Sequence, residues 1–534
     1  MDRVKLVLKS NKFYLFLALF IGIFVRLYGL DIQSFWYDEL FAVTGASSKF
    51  LKMFLDFALL DFSPPLYLFT LFFWVKIFGN AEWIVRLLSA IAGIATLFFA
   101  YFLTRKQFNK YIATSFTILL AFSGFAIEYS QEARAYSFLL LFSTILTLLW
   151  LNLLKTLEKS DLPTSKVIIY GIMCIICCFT HYFGAILVFF QFIYLFFASC
   201  IHKKSILSSV HDEIETQVFE IKDKNNNCDS NKTEIKQTYP AITCKNQFKS
   251  GLKVFFLGLA IGILFLPWCL AQLAIFSLGA NGIFVATKYT YLSFPMLIDL
   301  FINRNLAILA IIPFTFKAFW KNFLEKIRES NITSSIQSLI YLTFCLTIIL
   351  FIVTIHFNAF HLRYFFIALP SDYLLFSILI SLNPGFKEVK SNIFVFILSF
   401  IGLYMFLFVS GDNCYMEKPF YKPYKQQWRE ATKYAIQDYS NGSAIFVNRD
   451  PELYVYYLNM FKKYDDRFVI GYIHSSKDLM DIDKKYNKII IISAFYKLPD
   501  SMKNVIKYKY NNCSSKDFYQ MTVYKCSKAI PFSN

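Results

Sequence analysis

"PPLYLFTLFFWVKIFG", residues 64–79, is the stretch whose reading decides the fold. It is apolar apart from Thr70 and Lys76, so it invites assignment as a membrane crossing. A crossing helix needs about 20 mostly apolar residues. This stretch is shorter, opens on a proline pair suited to a first helical turn, and stops at a glycine. It reads as a helix lying along the membrane surface or dipping into it. The choice matters because a single added crossing reverses the side of every later loop.

The composition of the whole chain fixes its class. Its 534 residues are 57% hydrophobic and 19% aromatic, with mean hydropathy +0.47, which is too apolar for a soluble chain of this length. The expected class is mainly α, a polytopic helical membrane protein. Candidate spans are 13–30, 84–103, 111–127, 137–154, 166–180, 184–201, 253–274, 305–320, 337–356, 365–382 and 392–410. The first is read as a retained helix rather than a signal peptide, because Trp36, Tyr37 and two acids follow it instead of a small-residue cleavage site. The net charge of +18 belongs to membrane-flanking loops and argues for no nucleic-acid partner.

With 64–78 not crossing and the N-terminus inside, the cations sort themselves. The inner loops hold Arg3, Lys5, Lys9, Lys12, Arg105, Lys106, Lys110, Lys155, Lys159 and Lys166, then many lysines from Lys203 to Lys253. Lys317, Lys321, Lys326, Arg328, Lys387 and Lys390 complete that set. The outer loops hold only Lys49, Lys52, Arg86, Arg134, Lys288, Arg304 and Arg363. This positive-inside bias predicts about eleven spans in the cytoplasmic (inner) membrane, with the N-terminus cytoplasmic and the C-terminus extracytoplasmic. Residues 1–411 form the expected membrane domain, with a polar, Asn- and Lys-rich cytoplasmic loop at about 202–252.

Residues 412–534 carry no membrane run. "QQWREATKYAIQDY" reads as a helix and "SAIFVN", "RFVIGYI", "KIIIISAF" and "QMTVYKC" as strands, giving a small extracytoplasmic α/β domain. Cys513 and Cys526 there could be a disulfide or two free thiols. Cys174, Cys177 and Cys178 lie in an apolar run and read as small core residues.

The chemistry gathers on the predicted outer face. "WYDEL" (36–40), "DFSPPLY" (61–67), "EWIVRLLS" (82–89), "EYSQEARAY" (128–136), "THYFG" (180–184) and "HLRYF" (361–365) all fall there. Charges near a bilayer are costly and tend to mark substrate paths. Asp38, Glu39, Glu128 and Glu132 can act as bases or acceptors. Arg86, Arg134, Arg304 and Arg363 suit a phosphate, since a guanidinium offers forked donors. A carboxylate with arginines at a membrane face suggests a lipid-linked phosphate as leaving group. Each motif also has a plainer reading. Asp38 and Glu39 could cap a surface helix, Glu132 and Arg134 could be an exposed pair, His181 and Tyr182 an interfacial pair, and Arg363 and Tyr364 a helix-end anchor. A lipid-phosphate or polymer flippase without bond cleavage is the alternative function. The nearly charge-free mid-spans count against an ion-coupled transporter.

The ordered series "FWYDEL", "DFSPPLYLFTLFFWVKIFG", "EWIVRLLSAIAG", "YSQEARAYSF", "THYFGAILVFFQ" and "RYFFIALP" resembles the C-type (GT-C) glycosyltransferase superfamily. Within it, the chain is similar to family 39-like bacterial relatives of protein O-mannosyltransferases and of the lipid A aminoarabinose transferase. The tail from "KPFYKPYKQQWREATKY" resembles the tails of such members too. The resemblance implies a polyprenyl-phosphate sugar donor, an extracytoplasmic hydroxyl acceptor (protein, lipid or envelope glycan) and inversion at the anomeric carbon. It puts the catalytic base at Asp38 with Glu39 beside it, and an acidic residue at Glu132. Arg86, Arg134, Tyr136, His181, Tyr182, Arg363 and Tyr364 complete the expected substrate-binding set. Relatives often carry His or Lys before the proline pair, where this chain has Ser63. No cofactor is compelled, although an acid pair can hold a divalent cation.

Overall fold

The computed structural model describes residues 10–61, 63–199, 239–277, 332–356, 366–382, 389–408 and, with short gaps, 425–528. The described helices of the membrane part run in order as Asn11–Leu27 (α1), Tyr37–Ala46 (α2), Leu51–Leu60 (α3), Leu66–Phe78 (α4), Glu82–Gln107 (α5), Lys110–Phe122 (α6) and Gly124–Ser130 (α7). Tyr136–Leu157 (α8), Thr164–Thr180 (α9), Tyr182–Ser199 (α10), Tyr239–Ser277 (α11), Thr333–His356 (α12), Leu369–Leu382 (α13) and Val389–Phe408 (α14) follow. Each candidate span overlaps one of these helices, except 111–127, which falls on two, and 305–320, which lies outside the described residues. Four of the described helices are long and apolar enough to cross a bilayer by themselves: α5, α8, α10 and residues 249–275 of α11.

α4 has 13 residues, so it is about 20 Å long against a hydrocarbon core of about 30 Å. It buries Tyr67, Leu68, Leu71, Phe72 and Val75 and leaves Phe73, Ile77 and Phe78 exposed. A short helix with one packed face and one bare apolar face suits a membrane surface. It ends at Gly79, whose φ of 93° is open to glycine and strained for other residues.

The expected straight span 111–127 is broken. α6 and α7 meet at Ser123 with a bend of 59°. A break leaves the last carbonyls of α6 without intrahelical donors. Arg26, fully buried near the end of α1, supplies donors to Leu120 and Ala121 O at 2.8 and 2.9 Å. The approach that allows this is close: a Cβ on Gly22 would meet the Ala121 side chain at 2.9 Å. The sequence reading missed Arg26 because one cation at a helix end looks like an interfacial anchor.

The basic loops collect at one end of the bundle. Lys155 Nζ reaches Gln107 O, Lys166 Nζ reaches Thr156 Oγ1, and Lys253 Nζ reaches Leu162 O, at 2.8–3.0 Å. Asn11 Nδ2 joins Thr114 Oγ1 at 2.9 Å, which brings the start of α1 to the same end. The acidic motifs of residues 36–40, 61–67 and 128–136 lie together at the other end, linked by the contacts described below.

The tail carries Trp428–Gln437 (α15), Pro451–Met460 (α16) and a five-stranded sheet. Its strands are Ser443–Val447 (β1), Ile470–Tyr472 (β2), Lys488–Ala494 (β3), Asn512–Phe518 (β4) and Met521–Ser527 (β5), in spatial order β2-β1-β3-β5-β4. β1 pairs in parallel with β2 and β3, whereas β5 is antiparallel to both β3 and β4. The run "IIII" in β3 is buried on both faces, as a central strand requires. Ile490 and Ile492 join one core, Ile489 and Ile491 another. β4, "NCSSKDF", was not expected, because it is a polar, exposed strand with no alternating pattern. Its pairing with β5 and the Cys513–Cys526 disulfide between facing residues hold it.

The first of these cores is not confined to the tail. It includes Phe35, Leu40 and Val43 from the segment after α1, Tyr67 and Leu71 of α4, and Trp428, Tyr454 and Tyr457 of the tail. α15 supplies Trp428, Ala431, Thr432, Ala435 and Ile436, one face of a 3.6-residue period.

Candidate active site

α2 starts at Tyr37, so Asp38 and Glu39 sit in its first turn, where the helix dipole favours carboxylates. Successive helical residues point about 100° apart. Glu39 is fully buried, whereas Asp38 is half-buried and reaches the surface. Glu39 Oε2 accepts from Trp36 N at 3.2 Å, so the helix-cap reading is part of its role. Glu39 also accepts from Arg86 Nε at 2.9 Å, Arg86 Nη2 at 2.8 Å and Ala133 N at 2.8 Å, and Lys425 Nζ lies 3.4 Å away. Burial pushes this carboxyl up. The charges of Arg86 and Lys425 and the hydrogen bonds from Arg86 and Ala133 outweigh burial and bring it down to about 2.

Two expectations change here. Arg86 was expected on a phosphate. A guanidinium has five N–H donors. Those of Arg86 go to Glu39 Oε1, Glu39 Oε2, Ser34 O, Leu30 O and Gln33 O. The guanidinium is a buried clamp on residues 30–39. Glu39, expected beside the base, is the other half of that clamp. For the same reason the Asp38–Glu39 pair does not fit a divalent cation: protein donors already occupy both Glu39 oxygens. Among the described residues, no group of three or more His, Cys, Asp or Glu is gathered for a metal.

The turn after α7 is the seam of the site. Gln131 Nε2 donates to Val25 O and Tyr28 O, both at 2.8 Å, and so holds the end of α1. Glu132, buried, pairs with Lys425 at 3.2 Å. Ala133 N holds Glu39. Arg134 Nη1 and Nη2 reach Asp61 at 2.7 and 3.3 Å, and Nη2 also reaches Ser63 Oγ at 3.1 Å. Tyr136 packs on His181 with ring centroids 5.5 Å apart. Successive residues of one turn thus grasp different parts of the chain.

Asp61 was quoted in the sequence motif without a role. Burial raises its carboxyl, but the Arg134 charge and the hydrogen bonds from Arg134 and Ser63 hold it below the usual carboxylate range. Burial lowers the Arg134 guanidinium, and the charges of Asp61 and Asp38 more than reverse this. Arg134 is therefore a firm cation beside Asp38, whose main-chain O lies 3.4 Å from Nη1.

An aromatic group borders the seam. Tyr129 lies 4.6 Å from Tyr136, and Phe366 4.9 Å from Tyr129. His181 stacks on Phe183 at 4.8 Å and its Nδ1 accepts from Phe183 N. Tyr182 is part of another contact: its hydroxyl accepts from Trp268 Nε1 at 3.2 Å. Glu128 is half-buried on α7. Arg304, Arg363 and Tyr364 lie outside the described residues.

The tail reaches this site directly. Besides Lys425, Gln426 Oε1 accepts from Tyr37 N at 2.9 Å, and Tyr457 OH accepts from Phe35 N at 2.9 Å. Tyr457 OH donates to Glu82 Oε1 at 2.7 Å. Arg429 donates to Asp31 O and Ile32 O and pairs with Glu82. The sequence assigned none of these tail residues a role, although the quoted "KPFYKPYKQQWREATKY" holds Lys425, Gln426 and Arg429.

Residues 63–211 match the family model for dolichyl-phosphate-mannose-protein mannosyltransferase. In structure, the chain resembles ArnT from Cupriavidus metallidurans, solved with bound undecaprenyl phosphate. The TM-score is 0.53 at 12% identity, over 97% of this chain and 98% of that one. The chain carries a segment that matches this mannosyltransferase family and shares the ArnT fold. The archaeal oligosaccharyltransferase AglB from Archaeoglobus fulgidus, in complex with an inhibitory peptide and a dolichol-phosphate, gives a TM-score of 0.44 at 10% identity. That match covers 98% of this chain and 75% of AglB. No curated protein matches the sequence. The family match begins at residue 63, so it includes the 131–136 seam but neither Asp38 nor Glu39.

Proposed function

We propose that the chain is an integral membrane glycosyltransferase that moves a sugar from a polyprenyl-phosphate donor to an extracytoplasmic hydroxyl, with Asp38 as base. One observation carries the reading. Glu39, Asp61, Glu82 and Glu132 are buried against cations, whereas Asp38 is half-buried beside Arg134 on a helix start held by them. A carboxylate in that position is accessible to a substrate and firmly aimed.

In the proposed step, Asp38 takes the proton of the acceptor hydroxyl as its oxygen attacks the anomeric carbon. The bond from that carbon to the phosphate oxygen breaks, its electron pair leaves with the polyprenyl phosphate, and the configuration inverts. Glu39, Arg86 and Asp61 position the base, and Arg134 places positive charge beside it. The GT-C fold and the mannosyltransferase family match support a lipid-phosphate sugar as donor, as do the lipid phosphates named for ArnT and AglB. Arg363 and Tyr364 remain the proposed donor contacts on the sequence argument.

The test uses purified full-length protein in nanodiscs with radiolabelled polyprenyl-phosphate mannose, galactose or aminoarabinose, and deletion-strain membranes as acceptor. Transfer or donor hydrolysis supports the enzyme. Movement of donor across vesicles with no bond cleavage would establish a flippase instead. For orientation, a reporter active only outside the cytoplasm is active when fused after Asn534 and silent after Lys232.

A further inference from the structure

Lys425 belongs to the tail, yet its ammonium lies in the membrane-side clamp. It is 3.4 Å from Glu39 Oε2 and 3.2 Å from Glu132 Oε1, with its side chain only 5% exposed. The two carboxylates come from different segments, α2 and the turn after α7. The cluster of Glu39, Glu132, Arg86 and Lys425 holds two negative and two positive groups, so it is neutral as built. Asp38 and Arg134 adjoin it, and Gln426 fixes Tyr37 N beside it. Two buried carboxylates facing one gap cannot both stay ionised cheaply without an intervening cation.

We propose that Lys425 is a positioning residue for the transfer reaction, a bridge by which the tail locks the Asp38 helix start to the Arg134 turn. This rests on the catalytic reading of Asp38 given above. The tail is then a working part of the site, because the bridge comes from a segment that no membrane helix can replace. The neighbouring grips of Arg429, Tyr457 and Gln426 hold residues 31–37 by backbone and hydroxyl contacts. Lys425 alone among these tail groups joins both catalytic segments through charge.

The experiment uses the intact protein in nanodiscs with the same labelled donors, and two independent readouts. Lys425→Met lowers kcat by up to about a hundredfold near neutral pH, with little change in donor KM, because misplacement by about 1 Å carries such a penalty. Its activity recovers relative to wild type as pH falls from about 8 to about 5.5, because a proton replaces the missing charge between Glu39 and Glu132. Lys425→Met/Glu132→Gln regains activity over the single variant at neutral pH, and Lys425→Arg keeps most of it. Amide hydrogen exchange over residues 34–46 and 131–136 rises in Lys425→Met and returns toward wild type in the double variant. Parallel pH profiles for Lys425→Met and wild type, or a double variant no better than the single, overturn the proposal. If Lys425→Met does not fold, the double variant and Lys425→Arg still decide it. If wild type turns over none of the donors, the catalytic reading fails, while the exchange data still show whether Lys425 bridges the two segments.

Discussion

The two ends of the bundle handle charge in opposite ways. At the basic end, Lys155, Lys166 and Lys253 are part-buried and each donates to one neighbouring oxygen, and Lys155 also lies 3.7 Å from the Phe108 ring centroid. A single hydrogen bond of this kind contributes about 1 kcal/mol. At the acidic end, charges are buried and multiply bonded: Glu39 and Arg86 are each at most 2% exposed and share two hydrogen bonds. The basic end needs only net charge, which fixes orientation in a membrane. The acidic end needs geometry, which only buried and saturated groups supply.

The largest expected effect breaks that geometry. Arg86→Met leaves Glu39 buried beside Lys425 alone and leaves the carbonyls of Leu30, Gln33 and Ser34 without their donor. The predicted loss is about 3–5 kcal/mol, read as a large fall in unfolding temperature in detergent. A variant as stable as wild type would show the clamp to be ornamental. The same clamp has a pH signature. Glu39 has its carboxyl lowered from 4.5 to about 2, so the unfolded state binds the proton first and stability falls with pH in that interval. The contribution is fully present above about 4.5 and is lost as pH drops through about 2. Asp61, also lowered, acts in the same direction. Glu39→Gln, itself less stable at neutral pH, shows a shallower acid slope than wild type.

Smaller effects sharpen the contrast. Arg134→Ala leaves Asp61 buried without its forked partner and removes charge beside Asp38. Transfer efficiency, kcat/KM, falls by about 1.5–3 kcal/mol, the range for charge-assisted bonds. Unchanged kinetics would make the Asp61–Arg134 pair a structural ornament. Smallest of all, Lys155→Met at the basic end shifts stability by at most about 1 kcal/mol and leaves transfer unchanged. A loss of transfer there would erase the distinction between the two ends.

The sequence made the membrane helices legible because they are apolar runs, four of them long enough to cross a bilayer alone, and the proline pair with Gly79 bounded α4. Grouping of the acidic motifs at one end was readable from loop parity. What the sequence hid was the division of labour within the motifs. "DEL" shows two acids, and only burial separates a half-buried Asp38 from a saturated Glu39. Arg86 looks like any phosphate-seeking arginine until its five donors are counted. Arg26 and Lys425 were invisible for a different reason. Their partners lie about a hundred or more residues away, at Ala121 and Glu39, and no local period records such pairings. β4 was missed because an exposed edge strand needs no apolar alternation.

Asp38→Asn tests the central claim most directly. It keeps the size of the side chain and removes the base, while Glu39, Arg86 and Asp61 stay in place. The account predicts that sugar transfer falls by roughly 10²–10⁴, with donor binding and unfolding temperature close to wild type. Transfer at the wild-type rate by Asp38→Asn would contradict it and leave the surface carboxylate of α2 as no more than a helix cap.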